Sequence, residues 1–405
     1  MRGHRLFALF FPVALSIFAA PHYFLWNRLV RDTSLPPPWQ AAATAAIVVL
    51  YFLPLTGLFL QRMVPTGVAR AILWPAFVWI GVMFLLLVTF LALDAGTLGA
   101  GLARSIAHGE WELIRRDPGY ARMLAGAGCT FVSLVTMYAV YEARKPTGVK
   151  RVDVTLTRLP AALDGFTIVQ LSDIHVGPTL GKAFLERVVA AANALSPDLI
   201  AITGDLIDDR LERFPEMLAP LAQLRARHGV FFVTGNHEYF GTKDGIEKAE
   251  AVIATIARFG VRTLRNERVA IGGGPASFDL AGVYDITGGL WGPAHHADLS
   301  TALEGRDPAR ELVLLAHQPR FVRRAARSGV GLQLSGHTHG GQLWPFSLVV
   351  GLVESFLAGL YRVGETQLYV SRGTGYWGPP MRIAAPSEIT ALCLHASPLS
   401  SSGHA

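Results

Sequence analysis

The sequence predicts an α-helical transmembrane region followed by an α/β domain. Three observations carry that prediction. Long uncharged apolar stretches crowd the first 141 residues, short apolar runs then alternate with segments of helical period, and polar residues with metal-binding chemistry sit directly after those runs. At 405 residues the chain is long enough for more than one domain, and an apolar fraction of 51% is high for a purely soluble protein.

The apolar stretches come first: Leu6–Trp26, Ala41–Leu60, Ala71–Leu93 and Met123–Tyr141. Each is close to the roughly 20 residues that cross a bilayer as a helix. None contains Asp, Glu, Lys or Arg. Pro12, Pro54 and Pro75 lie inside them, which membrane helices tolerate. Trp26, Trp39 and Tyr141 near the ends suit interfacial anchoring. A cleaved signal peptide would also begin with Arg2, Arg5 and an apolar core, but Pro21 directly after Ala19-Ala20 argues against cleavage. The expected organisation is therefore a four-helix transmembrane region at 1–145, a catalytic domain at 146–395 and a flexible tail at 396–405. With the N-terminus inside, eight basic residues flank the spans on the cytoplasmic side and six on the other. That bias favours a multi-pass protein of the inner membrane with a cytoplasmic catalytic domain.

Charge and cysteines narrow the classes further. Residues 1–150 hold 13 Lys/Arg against 6 Asp/Glu, and residues 151–405 hold 23 against 24. The net charge of +6 thus belongs to the membrane part, and the second part lacks the basic excess that nucleic acid favours. Cys129 and Cys393 form neither a disulfide framework nor a thiolate metal motif.

Beyond the linker at 142–151, Phe166–Leu171, Leu199–Thr203, Val230–Thr234, Leu312–Leu315 and Gly331–Leu334 read as buried strands. Between them, Phe184, Leu185, Val188, Val189, Ala192 and Leu195 mark one face of a helix, and Ile246–Phe259 behaves similarly. Sheets of this kind place their chemistry at the carboxyl ends of strands.

Five polar clusters occupy such positions: Ser172-Asp173-Ile174-His175, Gly204-Asp205-Leu206-Ile207-Asp208, Gly235-Asn236-His237-Glu238, Ala316-His317-Gln318 and Gly336-His337-Thr338-His339-Gly340-Gly341. Burying this many ionisable groups is costly unless something pairs with them, and a metal ion does so. Oxygen and nitrogen donors without thiolate suit two divalent ions, Mn, Fe or Zn. A carboxylate such as Asp205 has two oxygens and can bridge two cations.

The ordered pattern D-x-H, G-D-x-x-D, G-N-H-[D/E], a lone His and G-H-x-H resembles the calcineurin-like metallophosphoesterase family, without a substituted ligand over roughly residues 150–395. Gly340-Gly341-Gln342 and Val370-Ser371-Arg372-Gly373 look like its membrane-associated bacterial branch, similar to UDP-2,3-diacylglucosamine hydrolase-like enzymes. The resemblance implies two facing β-sheets flanked by helices. It implies one metal held by Asp173, His175, Asp205 and His339, and another by Asp205, Asn236, His317 and His337. His237 would protonate or stabilise the leaving oxygen, and Asp208 or Glu238 would orient imidazoles. Arg372, in a Gly-bounded loop after a strand, is the candidate contact to a substrate phosphate.

Three features stay outside this set. His295-His296 reads as an ordinary surface loop, and Arg320, Arg323, Arg324 and Arg327 read as a solvated helical face. Leu343–Tyr361 carries one charge, Glu354, and is either a buried core helix or an apolar flap beside the metals. The expected function is a membrane-anchored, dinuclear-metal phosphoesterase whose partners are the bilayer and a phosphorylated, lipid-linked substrate. Hydrolysis of soluble nucleotides or phosphoproteins, and a non-catalytic membrane sensor of a phosphorylated ligand, are the alternatives.

Overall fold

The computed structural model describes residues 15–397 except 17, 61–62, 109–116, 209–213 and 243. It separates into two compact units: a helical one ending at Tyr141, which also takes in Gly378–Met381, and a second formed by Glu142–Trp377 with Arg382 onward. The stretch Leu6–Trp26 lies partly outside the described residues, and so does most of the expected tail, from residue 398.

Among the described residues of the first unit, three helices are long and apolar enough to cross a membrane: α1 (Pro37–Leu60), α2 (Thr66–His108) and α3 (Pro118–Arg144). All three expected spans that fall wholly within described helices are therefore helical. At 43 residues α2 is about 65 Å long, roughly twice the hydrocarbon thickness. Its part beyond Leu93 carries Asp94, which pairs with Arg28 at 2.6 Å.

Among its described residues the second unit has twelve strands in two six-stranded sheets. The first sheet contains β1 (Gly148–Leu156), β2 (Phe166–Leu171), β3 (Leu199–Ile202), β4 (Val230–Phe232), β5 (Val261–Thr263) and β12 (Glu388–Ala396), in the order β1-β12-β2-β3-β4-β5. The second contains β6 (Glu267–Gly273), β7 (Ala276–Gly282), β8 (Leu312–Leu315), β9 (Leu332–Ser335), β10 (Gly359–Val363) and β11 (Thr366–Val370), in the order β10-β11-β9-β8-β7-β6. Strands β2 to β5 are mutually parallel, as are β7, β8, β9 and β11. The runs expected as strands are the central ones of each sheet, which explains why they lack alternation: both faces are covered.

Successive side chains of β2 show how the layers form. Ile168 joins Leu199, Phe278, Val313 and Leu332 in the core between the sheets, whereas Val169 and Leu171 face the other way. There they meet Leu185, Val188 and Val189 of α4 (Lys182–Ala194) and Val252 and Ile256 of α5 (Gly245–Ala257). The Asp244 carboxylate caps α5, accepting from Ile246 N at 2.9 Å and Glu247 N at 3.1 Å. The outer face of the second sheet is covered by short helical turns carrying Leu299, Phe321 and Ala325.

Two expectations change here. Leu343–Tyr361 does not supply a core helix: α6 (Phe346–Val353) has no buried residue, because it projects from the loop after the last His cluster instead of covering a sheet. His295 is not on the surface. It is buried, stacked on Tyr284, with Nδ1 3.0 Å from Tyr239 Oη and Nε2 2.9 Å from Glu250. Its neighbour Glu250 on α5 pulls the loop inward. Arg320, Arg323, Arg324 and Arg327 are exposed.

Candidate metal centre

Five loops bring the candidate ligands together, each leaving the carboxyl end of a strand. Asp173 and His175 follow β2, Asp205 and Asp208 follow β3, Asn236 and His237 follow β4, His317 follows β8, and His337 and His339 follow β9. The two sheets thus contribute to one site along their common edge. The loops turn sharply: Asp173, His175, Asp205, His337 and His339 all have φ between 51° and 75°. Left-handed backbone is unfavourable for residues with a Cβ, and such strain clusters at functional sites. Half of the ten described non-glycine residues with positive φ are therefore candidate ligands.

Glycines allow the close approach. A Cβ on Gly336 would overlap the Ser172 hydroxyl and the Asp173 carboxylate, and one on Gly235 would overlap the Asp205 carboxylate. The Asp173 carboxylate in turn accepts from His337 N at 2.9 Å, and Asp205 Oδ1 accepts from His237 N at 2.8 Å.

The donor atoms gather into two groups. In one, Asp173, His175 and His339 converge, with His175 Nε2 3.0 Å from His339 Nε2 and His339 Nε2 3.5 Å from Asp173 Oδ1. In the other, Asp205, His317 and His337 converge, with His317 Nε2 3.3 Å from Asp205 Oδ2. Asn236 Oδ1 joins the second group, 2.8 Å from His337 Nδ1 and 3.2 Å from His317 Nε2. Asp205 Oδ2 also lies 3.9 Å from His175 Nε2, so this carboxylate stands between the groups.

Hydrogen bonds on the far side of two rings orient this arrangement. His317 donates Nδ1–H to the Thr203 carbonyl at 2.7 Å, which turns Nε2 toward two oxygens, Asp205 Oδ2 and Asn236 Oδ1. His175 gives Nδ1–H to Asp208 at 2.9 Å, which aims its Nε2 lone pair at the first group. Nitrogen and oxygen donors converging in a buried site need positive charge among them, from protons or from cations, and this donor set fits divalent metals.

The electrostatics agree. Burial pushes the His317 imidazole down, yet the Asp205 carboxylate outweighs it and holds it well above the ordinary value. Burial likewise raises Asp205, but His317 and His237 bring it well below the carboxylate range. His337 falls to about 3 through burial and the charge of His317. His339 is held far below its usual value by burial, His175 and Arg382, and neutral imidazole is the ligating form. This is a pocket that demands positive charge near its carboxylates and keeps two imidazoles neutral.

His237 belongs to neither of these groups but clusters with His175 and Asp208, its ring 4.8 Å from that of His175. Its Nδ1 is 2.6 Å from Asp208 Oδ1, the same oxygen that holds His175. Burial lowers its pKa, but Asp205 and Asp208 prevail and raise it to about 9. Phe240 and Trp377 flank the ring edge-on, at 6.0 and 5.7 Å between centroids. Glu238 does not orient an imidazole. It accepts from Gly235 N at 2.6 Å, Leu206 N at 2.8 Å and Asp205 N at 3.0 Å, and so clamps two of the loops together.

The comparisons with known proteins agree with this geometry. The calcineurin-like phosphoesterase model matches residues 166–341. An uncharacterized metallophosphoesterase of Campylobacter jejuni is 36% identical over 288 residues, which cover 69% of this chain and 73% of that one. This chain belongs to the calcineurin-like phosphoesterase family. The transmembrane protein with metallophosphoesterase domain of Bos taurus is 42% identical over 276 residues, 66% of this chain and 61% of that one. Its namesake in Danio rerio is 39% identical over 269 residues, 65% and 60% respectively. The chain thus spans about three-fifths of the length of these two phosphoesterase relatives.

Two residues near this candidate site were less legible in the sequence. Arg372 is not free: its Nη1 lies 3.1 Å from Glu388 Oε2. Arg382 is fully buried and donates to the carbonyls of Arg372 and Ala385 at 2.9 and 2.7 Å, with its guanidinium 3.3 Å from His339 Nδ1. The available signal was a lone cation within the apolar run Pro379-Pro380-Met381-Arg382-Ile383-Ala384-Ala385.

Proposed function

We propose that this chain is a membrane-anchored phosphoesterase that uses two divalent metals to hydrolyse a phosphate ester or pyrophosphate of a lipid-linked molecule, its catalytic domain facing the cytoplasm. The observation that supports this reading is the convergence of seven candidate donors from five loops into two groups, with Asp205 of one group 3.9 Å from His175 of the other. Asp173, His175, Asp205 and His339 would hold one metal, and Asp205, Asn236, His317 and His337 the other. Two such ions would supply Lewis acidity and activate a water for attack at phosphorus.

The chain's own residues supply the remaining chemistry. Asp208 accepts from His237 Nδ1, which leaves Nε2 to face a substrate oxygen. Held by Asp208, His237 would deliver a proton to the leaving alkoxide. Arg372, one-third exposed beside the last His loop, would contribute its unpaired N–H groups to a substrate phosphate. A lipid-linked substrate is favoured by the apolar stretches of the same chain and by the aromatic flanks of His237.

The test uses the full chain in detergent micelles with p-nitrophenyl phosphate, its bis ester and Mn²⁺ or Zn²⁺. Metal-dependent hydrolysis abolished by chelation is expected. Two bound metals without turnover of either ester would favour the sensor instead.

A further inference from the structure

The helix α6 is short, apolar and bare. It runs Phe-Ser-Leu-Val-Val-Gly-Leu-Val without a charge, and Leu348, Leu352 and Val353 are 65%, 88% and 80% exposed. Water-facing helices do not expose such residues together without a reason. The helix is also fastened to the metal loop. The Thr338 hydroxyl, between His337 and His339, donates to the Leu357 carbonyl at 2.5 Å, and Gly341 packs against the Ser347 backbone so closely that no Cβ would fit.

The apolar surface reaches the catalytic mouth. Gln342, at the start of this segment, donates to the Trp377 carbonyl at 2.8 Å and accepts from Trp377 N at 3.0 Å. Trp377 in turn lies edge-on to His237, with exposed Phe240 on another side of that ring. Trp344 and Trp377 are half exposed, and tryptophan is the residue most at home at the boundary of lipid and water.

We infer that α6, with Trp344 and Trp377, is an interfacial docking surface that seats the metal site on the lipid bilayer. A bilayer is the occupant because α3 ends at Arg144 and β1 begins at Gly148, so three residues tether this domain to the membrane-spanning helices. Three residues extend about 10 Å, so the chain that carries α6 is joined to the apolar helices by a short tether. An uncharged helix of eight residues is too short to span a membrane and suits lying in its surface. Docking this way brings the mouth beside His237 to the level of lipid headgroups. The assignment rests on the phosphoesterase reading only for its catalytic consequence.

The experiment uses the full chain in phosphatidylethanolamine–phosphatidylglycerol vesicles. An environment-sensitive fluorophore is attached at position 352 through Leu352→Cys in a Cys129→Ser, Cys393→Ser background. Blue-shifted emission quenched by spin-labelled lipid is expected. Quenching by aqueous iodide alone, or self-quenching between labelled copies with no lipid quenching, would overturn the proposal. In the second arm, Leu352→Asp with Val353→Asp should slow turnover of vesicle-borne phosphatidic acid at least tenfold and leave p-nitrophenyl phosphate within twofold. Both positions are highly exposed, so the fold should survive. Equal changes on both substrates would overturn the proposal. A wild-type protein that hydrolyses neither substrate would sink the phosphoesterase reading, and lipid quenching at position 352 would still decide the docking.

Discussion

Asp205 connects the two halves of the candidate centre, standing 3.3 Å from His317 and 3.9 Å from His175. Asp205→Ala should therefore lower metal content to fewer than two ions per chain and reduce activity by orders of magnitude; elemental analysis showing full occupancy would contradict the bridging role. His237→Ala should keep both metals and slow turnover about 10²–10⁴-fold, the usual contribution of general acid–base catalysis. That loss should shrink as the leaving group becomes more acidic, since a better leaving group needs less protonation, and uniform losses across an ester series would count against proton delivery. At this scale the sequence was most legible where one short motif carried a ligand and its glycine. It was least legible where the chemistry depends on a partner far along the chain. Asp208 serving two imidazoles, Glu388 holding Arg372, and Glu250 drawing His295 inside are relations of this kind.

The loops owe their shape to glycines and to a few carboxylates that bind backbone. Gly336 is the tightest point, since any Cβ there meets Ser172 and Asp173. Gly336→Ala should displace the Asp173 carboxylate and weaken the metal group that contains it. Titration of the purified protein with Mn²⁺ should show one site lost or weakened at least tenfold, with helix content by circular dichroism unchanged. Undiminished affinity at both sites would show that the loop can yield. Central strands were legible because both their faces are apolar, as in Leu199–Ile202 and Leu312–Leu315. Peripheral ones such as β10 are half exposed and carry Arg362, so their composition does not separate them from loops. The helix α6 was ambiguous for the opposite reason: apolar composition alone reads the same whether a helix faces a core or a bilayer.

For the whole molecule, stability and metal content should be linked through the charge of the site. In the metal-free protein, His237 has a folded pKa of about 9 against 6.5 for the free side chain, so its proton stabilises the fold. That contribution is complete below about pH 6.5 and is lost as pH rises through about 9. The thermal midpoint of chelated protein should fall across that window, and His237→Ala should flatten the fall. Metal-loaded protein should melt higher, by an amount that grows with pH, because the cations replace the lost protons. A chelated protein with no pH dependence between 6.5 and 9 would contradict the assignment. The helical part was visible in apolar stretch length, because a bilayer demands runs that no soluble strand needs, whereas the two facing sheets of the other part were implied only by the family resemblance.

The position of β12 has a consequence for how the chain is made. This strand, Glu388–Ala396, lies between β1 and β2, and β1 has no other neighbour in its sheet. A ribosome delivers β1 and β2 more than two hundred residues before the strand that joins them. During that interval Asp173 and His175 are already synthesised, but the sheet that should hold their loop is split. A nascent chain therefore has a membrane anchor long before it has a closed domain, and chaperones have that interval in which to shield the gap.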